Sequence, residues 1–167
     1  MPQPILTYGH PILRQAARTV GDITGDLQQL IDDMVETMYA APGVGLAANQ
    51  VGSPHRVFVA NPSEDRDPAQ LLVLINPELV ESDGEIVAEE GCLSIPDFRE
   101  EVRRARRVLV RGLDRNEHPI EVEGEDLLAR IVQHELDHLN GVLFLDRLSP
   151  AKRDILLRKL KKTFRQR

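Results

Sequence analysis

One cysteine in 167 residues, Cys92, leaves this chain no intramolecular disulfide, and so sparing a use of the residue fits a reducing, cytoplasmic setting. Long apolar stretches are equally scarce. The longest run, Leu71 to Ile75, falls far short of the roughly 18 residues a membrane span requires, so no membrane partner is expected. The opening Met1-Pro2-Gln3-Pro4 has neither the basic nor the apolar region of a secretory leader, and secretion is not expected either. Internal repeats, low-complexity tracts and long linkers are also missing. What remains is 41% hydrophobic and 29% charged, enough for a globular core rather than disorder. The expectation is a single domain over 1–167, able to bury roughly 70% of its unfolded surface.

Net positive charge is confined to one end of the chain. Residues 151–167 hold eight lysines and arginines against one acid, Asp154, for a net +7, so the other 150 residues carry −13 of the overall −6. An acidic body with a basic tail predicts one localised anionic partner and argues against DNA or general nucleic-acid binding. A solvated terminal helix is the plain alternative.

Apolar residues at Leu27, Leu30, Ile31, Met34, Val35 and Met38 follow helical spacing, with Asp26 and Gln29 as an N-cap signal and Pro42-Gly43 as a stop. Short β-like runs follow at Arg56–Ala60, Leu71–Asn76, Leu79–Glu81 and Ile86–Ala88, the last two flanking Asp83-Gly84 as in a hairpin. Val108–Val110 and Ile120–Val122 form a second apparent hairpin around Asp114-Arg115-Asn116. A helix is predicted from about Glu125 to Asn140, capped by Gly141. Another, over about 150–165, opens at Ser149-Pro150 and carries Ile155, Leu156, Leu160 and Phe164 along one side. Helix, turn-linked strands, then two helices reads as an α+β fold with antiparallel sheets packed around a central helix.

That central helix carries His134-Glu135-Leu136-Asp137-His138. Residues four apart on a helix differ by about 40°, so both imidazoles share one face, and Leu127 and Ile131 continue it backwards. An apolar stripe ending in two imidazoles points inward, where they suit a divalent transition metal. Two core histidines bonded to backbone carbonyls are the alternative, which the paired H-E-x-x-H spacing disfavours. Glu135 can take a proton from a water held there without itself becoming a ligand. A catalytic site needs a third protein ligand and one open position. Downstream of His138 lie no histidine and only Asp146 and Asp154, which do not fit the metzincin pattern. Upstream, Cys92 in Glu90-Gly91-Cys92-Leu93-Ser94 completes a Cys-His-His set, with Gly91 allowing close backbone approach. A lone cysteine is otherwise an ordinary buried residue. The segment Gly43-Val44-Gly45-Leu46-Ala47-Ala48-Asn49-Gln50 reads as a loop closely approached by other groups, in which the Gln50 amide suits a developing oxyanion.

Taken together, these segments resemble the peptide deformylase family. Gly43–Gln50 is similar to its G-x-G-L-A-A-x-Q motif, Glu90–Ser94 to its E-G-C-L-S motif and Gln133–His138 to its Q-H-E-x-D-H motif, in the same order and spacing. The resemblance runs from the Tyr8–Arg14 region to Leu148-Ser149-Pro150. It implies an enzyme that removes the formyl group from N-formylmethionine at the start of new peptides and releases formate. It further implies Cys92, His134 and His138 as metal ligands, Glu135 as general acid and base, and the Gln50 side chain with the Leu93 N–H as oxyanion donors. Gly45 and Arg99 are implied as substrate contacts, and Val44 and Ile131 as walls for the methionine side chain. Pro42 stands where the family often has an acid, and Arg130 where it often has an apolar rim residue.

The donor set suits Fe(II), Co(II), Ni(II) and Zn(II) alike; the resemblance favours Fe(II), with zinc, nickel or cobalt substituting. N-formylmethionyl peptides are the expected partners, with the ribosome as a further partner of the basic tail, and the expected state is a monomer. Two competing readings are an H-E-x-x-H metallopeptidase and a non-enzymatic metal- or ribosome-binding module. Formate release separates all three.

Overall fold

The structure, a computed structural model, describes residues 1–165, without the side chains of residues 164 and 165; the expectations attached to Phe164, Arg165 and Arg167 lie outside it. Three helices, α1 (Gly25–Ala40), α2 (Asp126–Leu139) and α3 (Pro150–Arg165), accompany seven strands: β1 (Gly45–Ala47), β2 (Val57–Ala60), β3 (Leu72–Asp83), β4 (Ile86–Cys92), β5 (Ile95–Arg104), β6 (Arg107–Leu113) and β7 (Pro119–Glu125). The strands form a five-stranded antiparallel sheet, β1-β2-β3-β6-β7, and a separate antiparallel pair, β4-β5. The expected α+β class with antiparallel sheets is what forms. No described helix is long and apolar enough to cross a membrane.

Side-chain alternation explains why the larger sheet is covered on both faces. Leu46, Val57, Val59, Val73 and Ile75 point to one side, where Leu27, Ile31, Met34 and Met38 of α1 bury them. Ala47, Phe58, Ala60, Leu74, Val108 and Val110 point to the other, against Ala129, Val132, Leu136 and Leu139 of α2. The smaller sheet has its own core, in which Ile95 and Val102 meet Leu143, Phe144, Leu145 and the α3 residues Leu156 and Leu160. Helix α2 thus lies between the large sheet and the β4-β5 pair.

Several local expectations are corrected. The α1 N-cap is Thr24, not Asp26, because extended Thr24 places its hydroxyl to accept from Leu27 N–H; Asp26 sits in the first turn. The two runs at 71–76 and 79–81 are one strand, β3, whose register shifts between Ile75 and Glu78 and between Leu79 and Glu81, around Asn76 in the left-handed region. Asp83-Gly84 is no hairpin turn. β3 pairs with β6 (Asp83 opposite Arg107) while β4 pairs with β5 (Ile86 opposite Arg104), so the chain changes sheets at Gly84. The second hairpin forms as expected, its turn closed by Asp114 Oδ1, which accepts from the N–H groups of Asn116 and His118. In α3, Leu156 and Leu160 are buried, but Ile155 is 53% exposed and does not share their side.

Candidate metal centre

Helix α2 ends at Leu139 in a Schellman arrangement. Gly141 N–H donates to His138 O at 3.0 Å and Val142 N–H to Asp137 O at 2.8 Å, with Gly141 at φ +76°. This termination fixes the last turn, where His138 sits, and the Asn49 side-chain amide donates to the His138 carbonyl from the facing 3-10 turn. His134 and His138 share one face, their Nε2 atoms 3.1 Å apart, and Cys92 Sγ lies 3.3 Å from His138 Nε2. The donor atoms of Cys92, His134 and His138 all fall within 4.8 Å of one another, and they form the one such group among the described residues. The stripe extends back through Ile131, which is buried, but not to Leu127, which is 43% exposed.

Behind His134 stands a buried charge network that sequence reasoning missed. Glu90 Oε2 lies 3.1 Å from His134 Nδ1, and Arg104 grips Glu90 in a bidentate pair (Nε to Oε1 2.8 Å, Nη2 to Oε2 2.9 Å). Arg104 Nη1 also donates to Asp137 Oδ2 at 2.6 Å, and Arg147 adds two bonds to Asp137. Burial acts to raise the Glu90 pKa, but Arg104 and His134 outweigh it and bring it down to about 2. Glu90 is therefore an ionised acceptor for His134 Nδ1–H, which leaves His134 Nε2 facing Cys92 and His138, free to act as a donor atom once its own proton is displaced.

Burial alone would depress the His134 pKa, yet Glu135, Cys92 and Glu90 hold it well above the ordinary value; His138, buried and facing His134, is pushed well below. A buried spot whose anions so favour a positive charge, lined by one sulfur and two ring nitrogens, fits a divalent transition metal.

Glu135 is buried beside these donors, its Oε1 without a hydrogen-bond partner, and burial pushes its pKa up to about 7. Its carboxylate lies over Gly45, where any Cβ would collide with Oε2. The expected close approach at this segment is therefore present. The segment is not all loop, however: Gly45–Ala47 is strand β1, paired with β2, and Ala48–Val51 a 3-10 turn. That turn buries Gln50 and fixes its amide. Gln50 Oε1 accepts from Ala47 N–H at 3.0 Å, so Nε2 points at the site, 3.1 Å from Ser94 Oγ and 3.8 Å from Cys92 Sγ. Leu93 occupies the tight turn between paired Cys92 and Ile95.

A cavity of about 800 Å³ opens over the centre, and Val44, Gly45, Gln50, Cys92, Leu93, Arg99, Ile131, His134 and Glu135 all line it. His138 lies beneath, 1% exposed. Arg99 is exposed at the rim, where its Nε donates to Glu89 Oε1 at 3.0 Å. Gly91 lines the same cavity beside Cys92, and its open side is crossed by the Arg99 side chain, whose Nη1 would lie 2.8 Å from a Cβ there. Of the supporting network, Glu90 and Asp137 lie inside the recognised motifs and carried a positional signal, whereas Arg104 carried none.

The polypeptide deformylase family model matches residues 2–154. A peptide deformylase of Thermodesulfovibrio yellowstonii is 51% identical over 157 residues, covering 94% of this chain and 95% of that protein. Among solved structures, a peptide deformylase from Legionella pneumophila superposes with a TM-score of 0.91 at 46% identity, covering 99% of this chain and 97% of its own. The Ehrlichia chaffeensis peptide deformylase in complex with actinonin gives a TM-score of 0.88 at 37% identity, with 97% of each chain covered. The chain belongs to the peptide deformylase family.

Proposed function

From membership of this family we infer that the chain is a metal-dependent hydrolase that removes the formyl group from N-formylmethionine of newly made polypeptides and releases formate. The observation that carries the reading is the meeting of Cys92, His134 and His138 donors within 4.8 Å, under a cavity shared with Glu135 and Gln50. Cys92, His134 and His138 would hold one divalent cation, Fe(II) physiologically, with zinc, nickel or cobalt able to replace it. When bound, that cation supplies Lewis-acid activation of water near neutral pH. Glu135 takes the proton of the attacking water and returns it to the leaving amine nitrogen. Gln50 Nε2 and the Leu93 N–H receive the charge that develops on the formyl oxygen; one such donor is typically worth ~3–4 kcal/mol. Val44 and Ile131 wall the methionine side chain, while Gly45 and Arg99 meet the peptide. Formate released from a formyl-Met peptide by anaerobically purified protein, with metal analysis on the same preparation, tests the reading. One equivalent of metal without formate would refute it.

The cytoplasm is the proposed setting, and the protein works as a monomer over the whole 1–167 unit. Its tail of net +7 over 151–167 docks on anionic ribosomal RNA near the site where formylated N-termini emerge. Such docking weakens steeply with salt, because each neutralised phosphate releases counterions. Replacing Lys159, Lys161 and Lys162 by glutamine, which leaves the buried Leu160 in place, should reduce co-sedimentation with ribosomes and spare turnover of free short peptides. Undiminished co-sedimentation would overturn the docking role.

A further inference from the structure

The cavity rim carries a cation, Arg130, that lies within ion-pair distance of no carboxylate among the described residues. Arg130 lies one turn before His134 on α2, so it projects from the same side of the helix and lines the cavity. Its Nη2 donates to the backbone carbonyl of Glu89 at 2.8 Å, and its Nε is buried without a partner. No ion pair joins it to a carboxylate among the described residues, whereas the nearby acids are engaged. Glu89 is held by Arg99 and Glu90 by Arg104. Ala41, Pro42 and Val44 line the same cavity and add no charge. A guanidinium presents five N–H donors, and neutral carbonyl oxygen satisfies little of that capacity.

We propose that Arg130 is a specificity determinant that selects formylated peptides bearing an acidic side chain at the second or third residue. The proposal rests on the deformylase reading. A peptide whose formyl end lies at the Cys92–His134–His138 donors must send its next residues out past the rim. There a carboxylate gains a charge-assisted contact that a neutral side chain lacks, and a lysine meets repulsion.

The test compares kcat/KM for two peptide series, formyl-Met-Xaa-Ala and formyl-Met-Ala-Xaa, with Xaa as Glu, Gln or Lys, using the metal-loaded full chain. In at least one series Glu should exceed Lys by roughly three- to tenfold at low salt, the size expected for a partly exposed charge pair set against a like-charge encounter. The difference should lie in KM more than in kcat and shrink as salt rises. Arg130→Gln should bring the Glu/Lys ratio toward one, Arg130→Lys should keep part of it, and Arg130→Glu should invert it. Circular dichroism and metal content certify each variant, and Arg130→Lys keeps the comparison decisive if the reversal variant folds poorly. No Glu/Lys difference in either series, or a ratio that survives in Arg130→Gln, would overturn the proposal. Failure of every formyl peptide to turn over would instead overturn the deformylase reading itself.

Discussion

At the scale of single residues, Glu135 is where ligand and proton-transfer roles can be told apart. Its carboxylate is buried with one oxygen unpartnered, while Cys92, His134 and His138 already make up the donor set. Glu135→Gln keeps the size and the hydrogen-bonding reach but not the ability to take and return a proton. Metal content and fold should stay near normal while turnover falls by ~10²–10⁴ or more, since one group serves both transfers. Metal analysis with single-turnover formate release decides it; lost metal would make Glu135 structural. Gly45 tests the same carboxylate from the opposite side. A methyl group at Gly45 collides with Glu135 Oε2, and a side chain that is 4% exposed has little room to yield. Gly45→Ala should therefore keep its metal and lose at least roughly tenfold in kcat, a misplacement effect of the kind seen when a catalytic group moves by about 1 Å. Unchanged kcat would mean that Glu135 relaxes freely.

At the scale of elements, strand β5 matters most. It presents Arg104 to α2 as the shared partner of Glu90 and Asp137, and all three side chains are buried. Removing one member of a buried ionic cluster leaves uncompensated charge and typically costs ~3–5 kcal/mol, more than the pair itself contributes. Arg104→Met should lower urea-unfolding stability by about that amount. It should also weaken metal binding by about 10- to 100-fold, because Glu90 then no longer holds His134 in one tautomer. Equal metal affinity in variant and parent would show that the network serves stability alone. β5 was also the element least legible in the sequence. Six of its ten residues, Asp97, Arg99, Glu100, Glu101, Arg103 and Arg104, are charged, and only Ile95, Val102 and Arg104 turn fully inward, so no period-two apolar pattern marks it. β2, β6 and β7 announced themselves as short β-like runs, and α1 and α2 through apolar periodicity. Turn chemistry at Asp83-Gly84 predicted a bend but could not choose a partner strand, since pairing is decided by tertiary packing. His134, Glu135 and His138 were legible because H-E-x-x-H encodes their geometry within one helix, and Cys92 because it is the one cysteine of the sequence. Arg104 was not, because it meets its partners 14 and 33 residues away in sequence.

At the scale of the whole molecule, the three donors join parts whose apolar cores are separate. Cys92 belongs to the β4-β5 pair, whose core is shared with α3, whereas His134 and His138 belong to α2, which packs on the five-stranded sheet. A cation held by all three clips the small sheet to the large one, so its binding free energy adds to the stability of the folded chain. At free metal 100 times the dissociation constant that amounts to about 2.7 kcal/mol. For a chain of this length each kcal/mol moves Tm by roughly 2–4 °C, so chelation should lower Tm by about 5–10 °C. The loss should not be uniform. Amide exchange should accelerate first in β4 and β5, which lose one of their ties to α2 and keep only the polar ones through Glu90 and Arg104, while β2 and β3, buried between α1 and α2, stay protected. Cys92→Ala separates this clip from general metal effects. With two imidazoles alone, the variant should fail to retain metal through dialysis, and its Tm should no longer respond to chelator. A Cys92→Ala protein that keeps one equivalent of metal would refute the ligand assignment. Uniform exchange acceleration across both sheets would refute the clip.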